Sequence, residues 1–316
     1  MAFTHPDRRA VTVGLAIGAL AAPGLARARI QDPPRVTPVD PNAAPDVVPD
    51  SVLAASADVA GRMTVPVMVN DRGPFPFIVD TGSTTTVLSD VLAAQLGLSP
   101  TDKLLVKAAT GAAESDACQL MSLTVGPRRL ANLHTPILAS SDLGALGILG
   151  IDAVSREKLI LDFGKKQMTL TASTRRGEDH YAITVTAKSK YGQLLLVDSD
   201  VEGMPLYVIL DTGSELTIGN ITMRTMLERH RAAGEVQVAG VTGSSITAPV
   251  GLLRTLDLGH VEITNIGIAY ADLETFGRFG LRDKPAMLLG MSTLRRFARV
   301  SIDFPAREVR FLLENT

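Results

Sequence analysis

Two stretches decide the fold: residues 77–83, Phe-Ile-Val-Asp-Thr-Gly-Ser, and residues 208–214, Val-Ile-Leu-Asp-Thr-Gly-Ser. Each is an apolar run that leads directly into Asp-Thr-Gly, and the two copies lie 131 positions apart. An apolar run followed by such a polar, glycine-containing triplet is typical of a buried strand that ends in a tight turn. The chain therefore contains the same strand-to-turn unit twice.

The repeat extends outward from these stretches in both directions. Upstream, residues 61–83 and 192–214 each have the pattern of a β-hairpin whose second strand enters Asp-Thr-Gly. The downstream segments match as well. They are a helix-like segment opened by an N-cap residue (89–96 and 220–230), a Thr-Gly pair (110–111 and 242–243), an apolar-apolar-Gly triplet (148–150 and 288–290) and an apolar-Asp-Phe triplet that precedes a polar turn and a closing strand (161–163 and 302–304). This duplication predicts two similar β-rich lobes, at 51–172 and 181–316.

The N-terminus has the features of an exported protein. Residues 1–28 combine an arginine pair, a short uncharged apolar run and a small-x-small cleavage site, which together predict a signal peptide of the general or the twin-arginine type. The apolar run is shorter than the about 20 residues that a membrane span needs. Residues 29–50 are rich in proline and predict a linker or pro-segment. We therefore expect a periplasmic or secreted protein with no membrane span after removal of the signal.

Composition argues against several classes of function. The formal net charge of −2 provides no basic surface for nucleic acid, and the aromatic content is 4% with no tryptophan. Cys118 is the only cysteine, so an intrachain disulfide is excluded and a structural role is expected. The histidines are scattered without ligand spacing. We predict no metal and no cofactor.

At this point the sequence resembles the aspartic proteases, and specifically the retropepsin-like group, on the two Asp-Thr-Gly-Ser motifs and their apolar-apolar-Gly partners. The resemblance covers both halves after residue 60. It implies an all-β protein of two acid-protease lobes of the closed-barrel type, with short helices and a pseudo-twofold axis. It also implies that both lobes lie in one monomeric chain, as in the pepsins.

The resemblance implies that Asp80 and Asp211 form one catalytic carboxylate pair. Two carboxylates about 3 Å apart repel strongly enough that one retains a proton while the other stays ionised. The ionised group would activate a water and the protonated group would polarise the scissile carbonyl of a protein or peptide substrate. The sequence alone does not assign either role to one residue, because such a pair titrates jointly.

The neighbouring residues fit this interpretation. Gly82 and Gly213 permit the tight loops, and the resemblance implies that Thr81 and Thr212 hydrogen-bond across the lobe interface. We expect the hydroxyls of Ser83 and Ser214 to donate to the outer carboxylate oxygens and thus to lower the pKa of the pair.

Two segments, 107–116 and 238–249, have the pattern of flaps that close over a substrate. Their expected tips contain Thr110 and Gly111 in the first segment and Thr242 and Gly243 in the second. Neither segment contains the tyrosine that is typical of a pepsin flap.

Two alternatives remain open from the sequence. One is a catalytically silent peptide-binding module on the same fold, which the presence of both aspartates, both glycines and both serines disfavours. The other is an actin-like or sugar-kinase phosphotransferase, since that fold also repeats an apolar strand and an Asp-x-Gly motif. The short chain and the absence of regular strand–helix alternation argue against it.

Overall fold

The computed structural model describes residues 10–12, 51–58, 61–173, 182–227, 234–259 and 261–313. The predicted signal peptide and the proline-rich segment thus lie outside the described residues, apart from strand β1 (Ala10–Thr12), which pairs in parallel with residues 105–107. Within the described ranges, no helix combines the length and apolar character that crossing a membrane requires.

The first half consists of strands and short helices. In chain order these are β2 (Ser51–Ala54), β3 (Ser56–Ala57), β4 (Met63–Val69), β5 (Arg72–Val79), β6 (Val87–Ser89), α1 (Asp90–Leu96), β7 (Asp102–Ala108), β8 (Gly111–Val125), β9 (Arg128–Leu138), α2 (Ser140–Leu143), β10 (Gly147–Leu149), α3 (Ile151–Val154), β11 (Lys158–Asp162) and β12 (Gln167–Thr171).

The second half repeats this order closely. Its elements are β13 (Ile183–Lys190), β14 (Gln193–Val201), β15 (Met204–Leu210), β16 (Ile218–Gly219), α4 (Ile221–Met226), β17 (Gly234–Ala239), β18 (Ser245–Leu258), β19 (Glu262–Tyr270), α5 (Glu274–Phe279), β20 (Ala286–Leu289), α6 (Met291–Leu294), β21 (Arg299–Asp303) and β22 (Glu308–Leu312).

Each half closes a β-barrel. In the first, neighbouring strands follow the order β8-β9-β6-β10-β5-β4, and β4 pairs back onto β8. In the second, the order is β18-β19-β16-β20-β15-β14, and β14 pairs back onto β18. Closure leaves these strands without a free edge. The predicted all-β architecture of two acid-protease lobes is therefore confirmed.

The apolar strand before each Asp-Thr-Gly lies beside the apolar-apolar-Gly strand of its own lobe. Strand β5 pairs in parallel with β10, and β15 pairs in parallel with β20 in the equivalent register. Because both faces of β5 and β15 are covered where these pairs form, residues 77–79 and 208–210 are uniformly apolar and buried. This pairing fixes the point at which each chain turns into the Asp-Thr-Gly loop.

The two lobes also share a sheet. Strands β2, β12 and β11 of the first half continue into β21, β22 and β13 of the second, with β11 antiparallel to β21. Leu159 faces Ile302 in this register, and both side chains are fully buried. Backbone hydrogen bonds thus join the lobes at the base of the molecule.

Helices α1 and α4 begin where the sequence predicts. The side chain of Ser89 accepts a hydrogen bond from Leu92 N at the start of α1, and Asn220 does the same from Met223 N at the start of α4. Helix α4 ends at Met226, whereas the sequence predicted a helix to residue 230, and residues 228–230 lie outside the described part. Cys118 is buried in the core, where burial raises the pKa of its thiol.

Candidate active site

Asp80 and Asp211 occupy equivalent positions immediately after β5 and β15. The backbone N–H of Asp80 donates to Leu149 O at 3.0 Å, and that of Asp211 donates to Leu289 O at 3.1 Å. Each Asp-Thr-Gly loop is thus tied to the apolar-apolar-Gly strand of its own lobe. The fold places both loops at the interface between the lobes.

The two carboxyl groups face each other across this interface. A Cβ atom added to Gly82 would lie 2.7 Å from Asp211 Oδ1, and one added to Gly213 would collide with the carboxyl carbon of Asp80. Both contacts are shorter than any that real Cβ atoms show. Glycine is required at these positions because each loop lies directly against the carboxyl group of the other lobe.

Backbone donors hold each carboxyl group in the same way. Asp80 Oδ1 accepts from the N–H groups of Gly82 at 2.7 Å and Ser83 at 3.1 Å. Asp211 Oδ1 accepts from Gly213 N at 3.0 Å and Ser214 N at 3.2 Å. The other oxygen of Asp80, Oδ2, is buried with no hydrogen-bond partner among the residues that the structure describes.

Burial raises the pKa of both aspartates. Their side chains are only 1% and 2% exposed, which disfavours the ionised form. Desolvation raises the pKa of Asp80 to about 6, although the Gly82 N–H partly opposes the shift. Desolvation and then the charge of Asp80 raise the pKa of Asp211 well above its ordinary value. The site therefore holds a proton on the pair through the mildly acidic range.

Thr81 and Thr212 connect the two loops through a reciprocal hydrogen-bond network. Thr81 Oγ1 donates to Leu210 O at 2.9 Å and accepts from Thr212 N at 3.1 Å. Thr212 Oγ1 donates to Val79 O at 2.7 Å and accepts from Thr81 N at 3.0 Å. Both side chains are buried, so these bonds replace hydration at the lobe interface and hold the carboxyl groups in register.

The expected contacts of Ser83 and Ser214 differ from those in the structure. Ser83 Oγ donates to Thr85 O and Ser214 Oγ donates to Leu216 O, both at 2.7 Å. The hydroxyls close the turn that follows each loop, and the carboxyl oxygens instead receive the backbone N–H groups of the same serines. The expectation that the hydroxyls bind the outer carboxylate oxygens is therefore wrong for Asp80, whose Oδ2 accepts no bond within the described ranges.

The two predicted flaps are hairpins, one in each lobe, whose tips contact each other. We define the first flap as the hairpin β7–β8 and the second as β17–β18. At their tips, Thr110 Oγ1 lies 2.6 Å from Ser244 Oγ, and Thr242 Oγ1 lies 3.3 Å from the same hydroxyl. Gly240 allows this approach, since a Cβ there would collide with Thr110 Oγ1.

The two glycines that the sequence placed at the flap tips lie in the turns beside this contact. Gly111 follows Thr110 in the first flap, Gly243 precedes Ser244 in the second, and both have a positive φ. The first flap is also anchored to the second lobe, because Glu274 N donates to Ala109 O at 2.8 Å. Sequence reasoning missed Ser244, whose only signal was its place in the repeated Thr-Gly segment.

Sequence reasoning also missed a buried polar chain behind the loop of Asp80. Gln193 Nε2 donates to Gly82 O at 2.6 Å and to Thr81 O at 3.2 Å. Arg278 Nη2, from helix α5, donates to Gln193 Oε1 at 2.6 Å. Gln193 follows the repeated Gly192, and the first half has Arg62 at the equivalent position, so the repeat itself carried a signal.

The glycines after the apolar pairs, Gly150 and Gly290, pack against the backbone that follows the Asp-Thr-Gly loops. A Cβ on Gly150 would lie 2.5 Å from the backbone carbon of Thr85, and one on Gly290 would lie 2.6 Å from that of Leu216. No side chain can be accommodated where these strands cross the active loops.

Comparison with protein families gives one result for both halves. The family model described as "Aspartyl protease" matches residues 65–153 and 197–293, which together are more than half of the chain. The matched segments contain both paired aspartates and both flaps. A search of curated proteins returned no match.

The sheet topology excludes the actin-like alternative. Each half closes a β-barrel, whereas the actin-like fold alternates strands with helices.

Proposed function

Because the chain belongs to the aspartyl protease family, we propose that it is an endopeptidase in which water placed between Asp80 and Asp211 attacks the scissile peptide bond. The observation that carries this proposal is the pair of buried carboxyl groups that face each other across two symmetric loops. Both have raised pKa values, so the pair retains a shared proton where an isolated aspartate would be ionised.

The proposed reaction begins with the singly protonated pair. The ionised carboxylate takes a proton from the water while the oxygen of that water bonds to the scissile carbonyl carbon. The protonated carboxyl group gives its proton to the carbonyl oxygen, and a tetrahedral diol results. In the second step of the reaction, the C–N bond breaks and the amine nitrogen receives a proton from the carboxyl pair. A hydroxyl group of the diol returns a proton to the pair. The pair ends as it began, with one proton.

The flaps support this mechanism by enclosing the reaction. In this proposal the hairpins cover the carboxyl pair during the reaction and limit the access of bulk water. The contact between Thr110 and Ser244 supports this role. Binding of a peptide then requires the flaps to separate and to close again over it. The contact between the tips is polar and can be remade with each substrate.

The test of this function is a peptidase assay on a chain that begins near residue 29, with a mixed peptide library. Mass spectrometry would identify the cleaved bonds, and a statine-containing inhibitor should suppress cleavage because its hydroxyl resembles the tetrahedral intermediate. Binding of peptides without any cleavage, across the acidic and neutral range, would instead indicate the silent peptide-binding module.

The hydroxyls of Ser83 and Ser214 should have little influence on the pH profile. In the double variant with alanine at both positions, we expect the acidic limb of kcat/KM to stay in place because the N–H donors to Asp80 and Asp211 remain. Each lost hydroxyl bond should destabilise the fold by about 1 kcal/mol. The measurements are pH–rate profiles and thermal unfolding. An acidic limb moved to higher pH would show that the hydroxyls bind the carboxylates during turnover.

Activity should not depend on association between chains. Both aspartates lie in one chain, and β11 and β21 join the lobes through backbone hydrogen bonds. We therefore expect constant specific activity on dilution from micromolar to nanomolar concentration, with a monomer in light scattering. Activity that disappears on dilution, together with a dimer at high concentration, would show that the active site is completed between chains.

We also propose export, on the basis of the arginine pair, the apolar run and the small-x-small site of residues 1–28. Sequencing the N-terminus of the native protein tests this proposal, with a start near residue 29 expected. An intact Met1 recovered from the cytoplasm would contradict it.

A further inference from the structure

A cavity of about 470 Å³ lies between the first flap and helix α5 of the second lobe. Lys107 and Gly111 of the flap line one side, and Glu274 and Arg278 of the helix line the other. The bond from Glu274 N to the flap closes one end of this cavity. We call it the α5 pocket.

Arg278 is incompletely satisfied in this pocket. Its Nη2 donates to Gln193, but Nε and Nη1 are buried and have no hydrogen-bond partner anywhere in the described part of the chain. The guanidinium lies 5.4 Å from the ring centre of Phe279 and 5.9 Å from that of Tyr191, so its remaining neighbours are largely aromatic. A buried cation with unused donors is costly unless an acceptor reaches it.

The charges around the pocket favour an anion. Lys107 adds a second, exposed cation at the rim. Glu274 is the opposing charge, but its Oε1 already accepts from Arg282 Nη2 at 3.1 Å. Gln193 links the guanidinium of Arg278 to Gly82 O in the loop of Asp80, so the pocket lies next to the carboxyl pair. Burial lowers the pKa of Arg278.

We propose that the α5 pocket is a specificity subsite in which Arg278 binds a carboxylate of the peptide substrate. A carboxylate suits this guanidinium because it accepts two parallel hydrogen bonds from one edge, either Nη1 with Nη2 or Nε with Nη2. Nη2 donates one of its two N–H groups to Gln193 and keeps the other. The carboxylate can belong to a Glu or Asp side chain or to the C-terminus of a short peptide. This proposal rests on the proposed function and names the class of residue that the enzyme prefers near the cut.

The equivalent place in the first lobe has the opposite charge. Helix α2, which precedes β10 as α5 precedes β20, carries Asp142, and its Oδ2 lies 3.2 Å from where a Cβ of Gly243 in the second flap would be. The α2 side also has a cation, Arg62, but it donates to Leu143 O and is paired with Asp58. The unused donors of Arg278 therefore set a single direction for a peptide with one acidic residue.

The experiment starts from one peptide that the wild type cleaves. For each position that flanks the cut, two versions of this peptide are made, one with Glu and one with Gln at that position. The wild type should prefer Glu at one position by roughly 10- to 100-fold in kcat/KM, the size expected for a hydrogen-bonded charge pair. Arg278→Gln should abolish this preference, and Arg278→Lys should keep part of it. Arg254→Gln, at an exposed arginine of β18 outside the pocket, is the matched control. The same peptide with a free or an amidated C-terminus separates the two sources of carboxylate.

Binding of the same peptide pairs to Asp211→Asn protein, followed by fluorescence anisotropy, separates this proposal from the proposed function. A Glu preference in binding that Arg278→Gln removes supports the subsite even if no peptide is cleaved. Equal binding and cleavage of the Glu and Gln peptides at every position would overturn it. An equal fall in kcat/KM for the Glu and the Gln peptide of each pair in Arg278→Gln would also overturn the proposal. That result would show that Arg278 only holds Gln193 and the loop of Asp80 in place.

Discussion

Replacement of either Asp80 or Asp211 by Asn is expected to reduce peptide cleavage by at least roughly a thousandfold and to raise thermal stability at neutral pH. Activity is lost because an amide cannot exchange the proton that the pair shares. Stability rises because the variant no longer forces two buried carboxyl groups to face each other. The remaining carboxylate can accept a hydrogen bond from the new amide.

The gain in stability should depend on pH in a definite direction. Above a pH of about 4 an unfolded aspartate is ionised, whereas folded Asp80 keeps its proton up to a pKa of about 6. The folded state therefore binds more protons in this interval, and wild-type stability falls as the pH rises through it. The gain from Asp80→Asn should be small at pH 4 and should reach up to about 3 kcal/mol at pH 7.

The measurements are peptidase assays and denaturant unfolding of each variant at both pH values. Asp162→Asn is a matched control with the opposite signature, because Asp162 accepts from Arg299 Nη2 at 3.1 Å at the end of β11. That variant should keep its activity and lose stability. Near-normal turnover in Asp80→Asn or Asp211→Asn would refute the catalytic pair.

Loss of the Thr81 hydroxyl is expected to have the largest effect on folding. Thr81→Val preserves the shape of the side chain but leaves Leu210 O and Thr212 N buried without their partner. Each unsatisfied group costs about 1–3 kcal/mol, so the variant should lose about 2–6 kcal/mol of unfolding free energy. Activity should fall as well, since the same bonds align the two loops.

Denaturant unfolding followed by circular dichroism measures this loss. Thr81→Ser keeps the hydroxyl and should restore most of the stability. Thr264→Val, at an exposed position of β19, should be nearly neutral. A loss of less than about 1 kcal/mol in Thr81→Val would show that water or a small shift of the loops replaces the network.

The sequence predicted the features that local pattern and duplication encode. Apolar runs before Asp80 and Asp211 specified buried strands, and the capping residues Ser89 and Asn220 marked the helix starts that the structure shows. The interval of 131 residues that the hairpins and the Asp-Thr-Gly motifs share was sufficient to pair the two loops. These features depend on a few consecutive residues, and each appears twice.

Features that depend on distant contacts were not predictable in this way. The direction of the Ser83 hydroxyl is set by how the chain turns after the loop, where Thr85 O competes with the carboxylate for the same donor. The hydrogen bond from Arg278 to Gln193 joins residues 85 positions apart, and the repeat that marks position 193 does not indicate this partner. The pairing of β11 with β21 likewise depends on how the lobes meet, which a repeat does not specify.

The contact between the flap tips has a topological consequence. While Thr110 and Ser244 touch, the two flaps form a continuous bridge from one lobe to the other, and a polypeptide that passes beneath this bridge would have to enter by a free end. The interior of a long chain can reach the carboxyl pair only from the side, after that contact opens. A hydrogen bond between two hydroxyls contributes about 0.5–1.5 kcal/mol, so thermal motion opens it often. Under the proposed function, serine and threonine at the tips, in place of a bulky apolar pair, would thus permit cleavage within chains and not only at their ends.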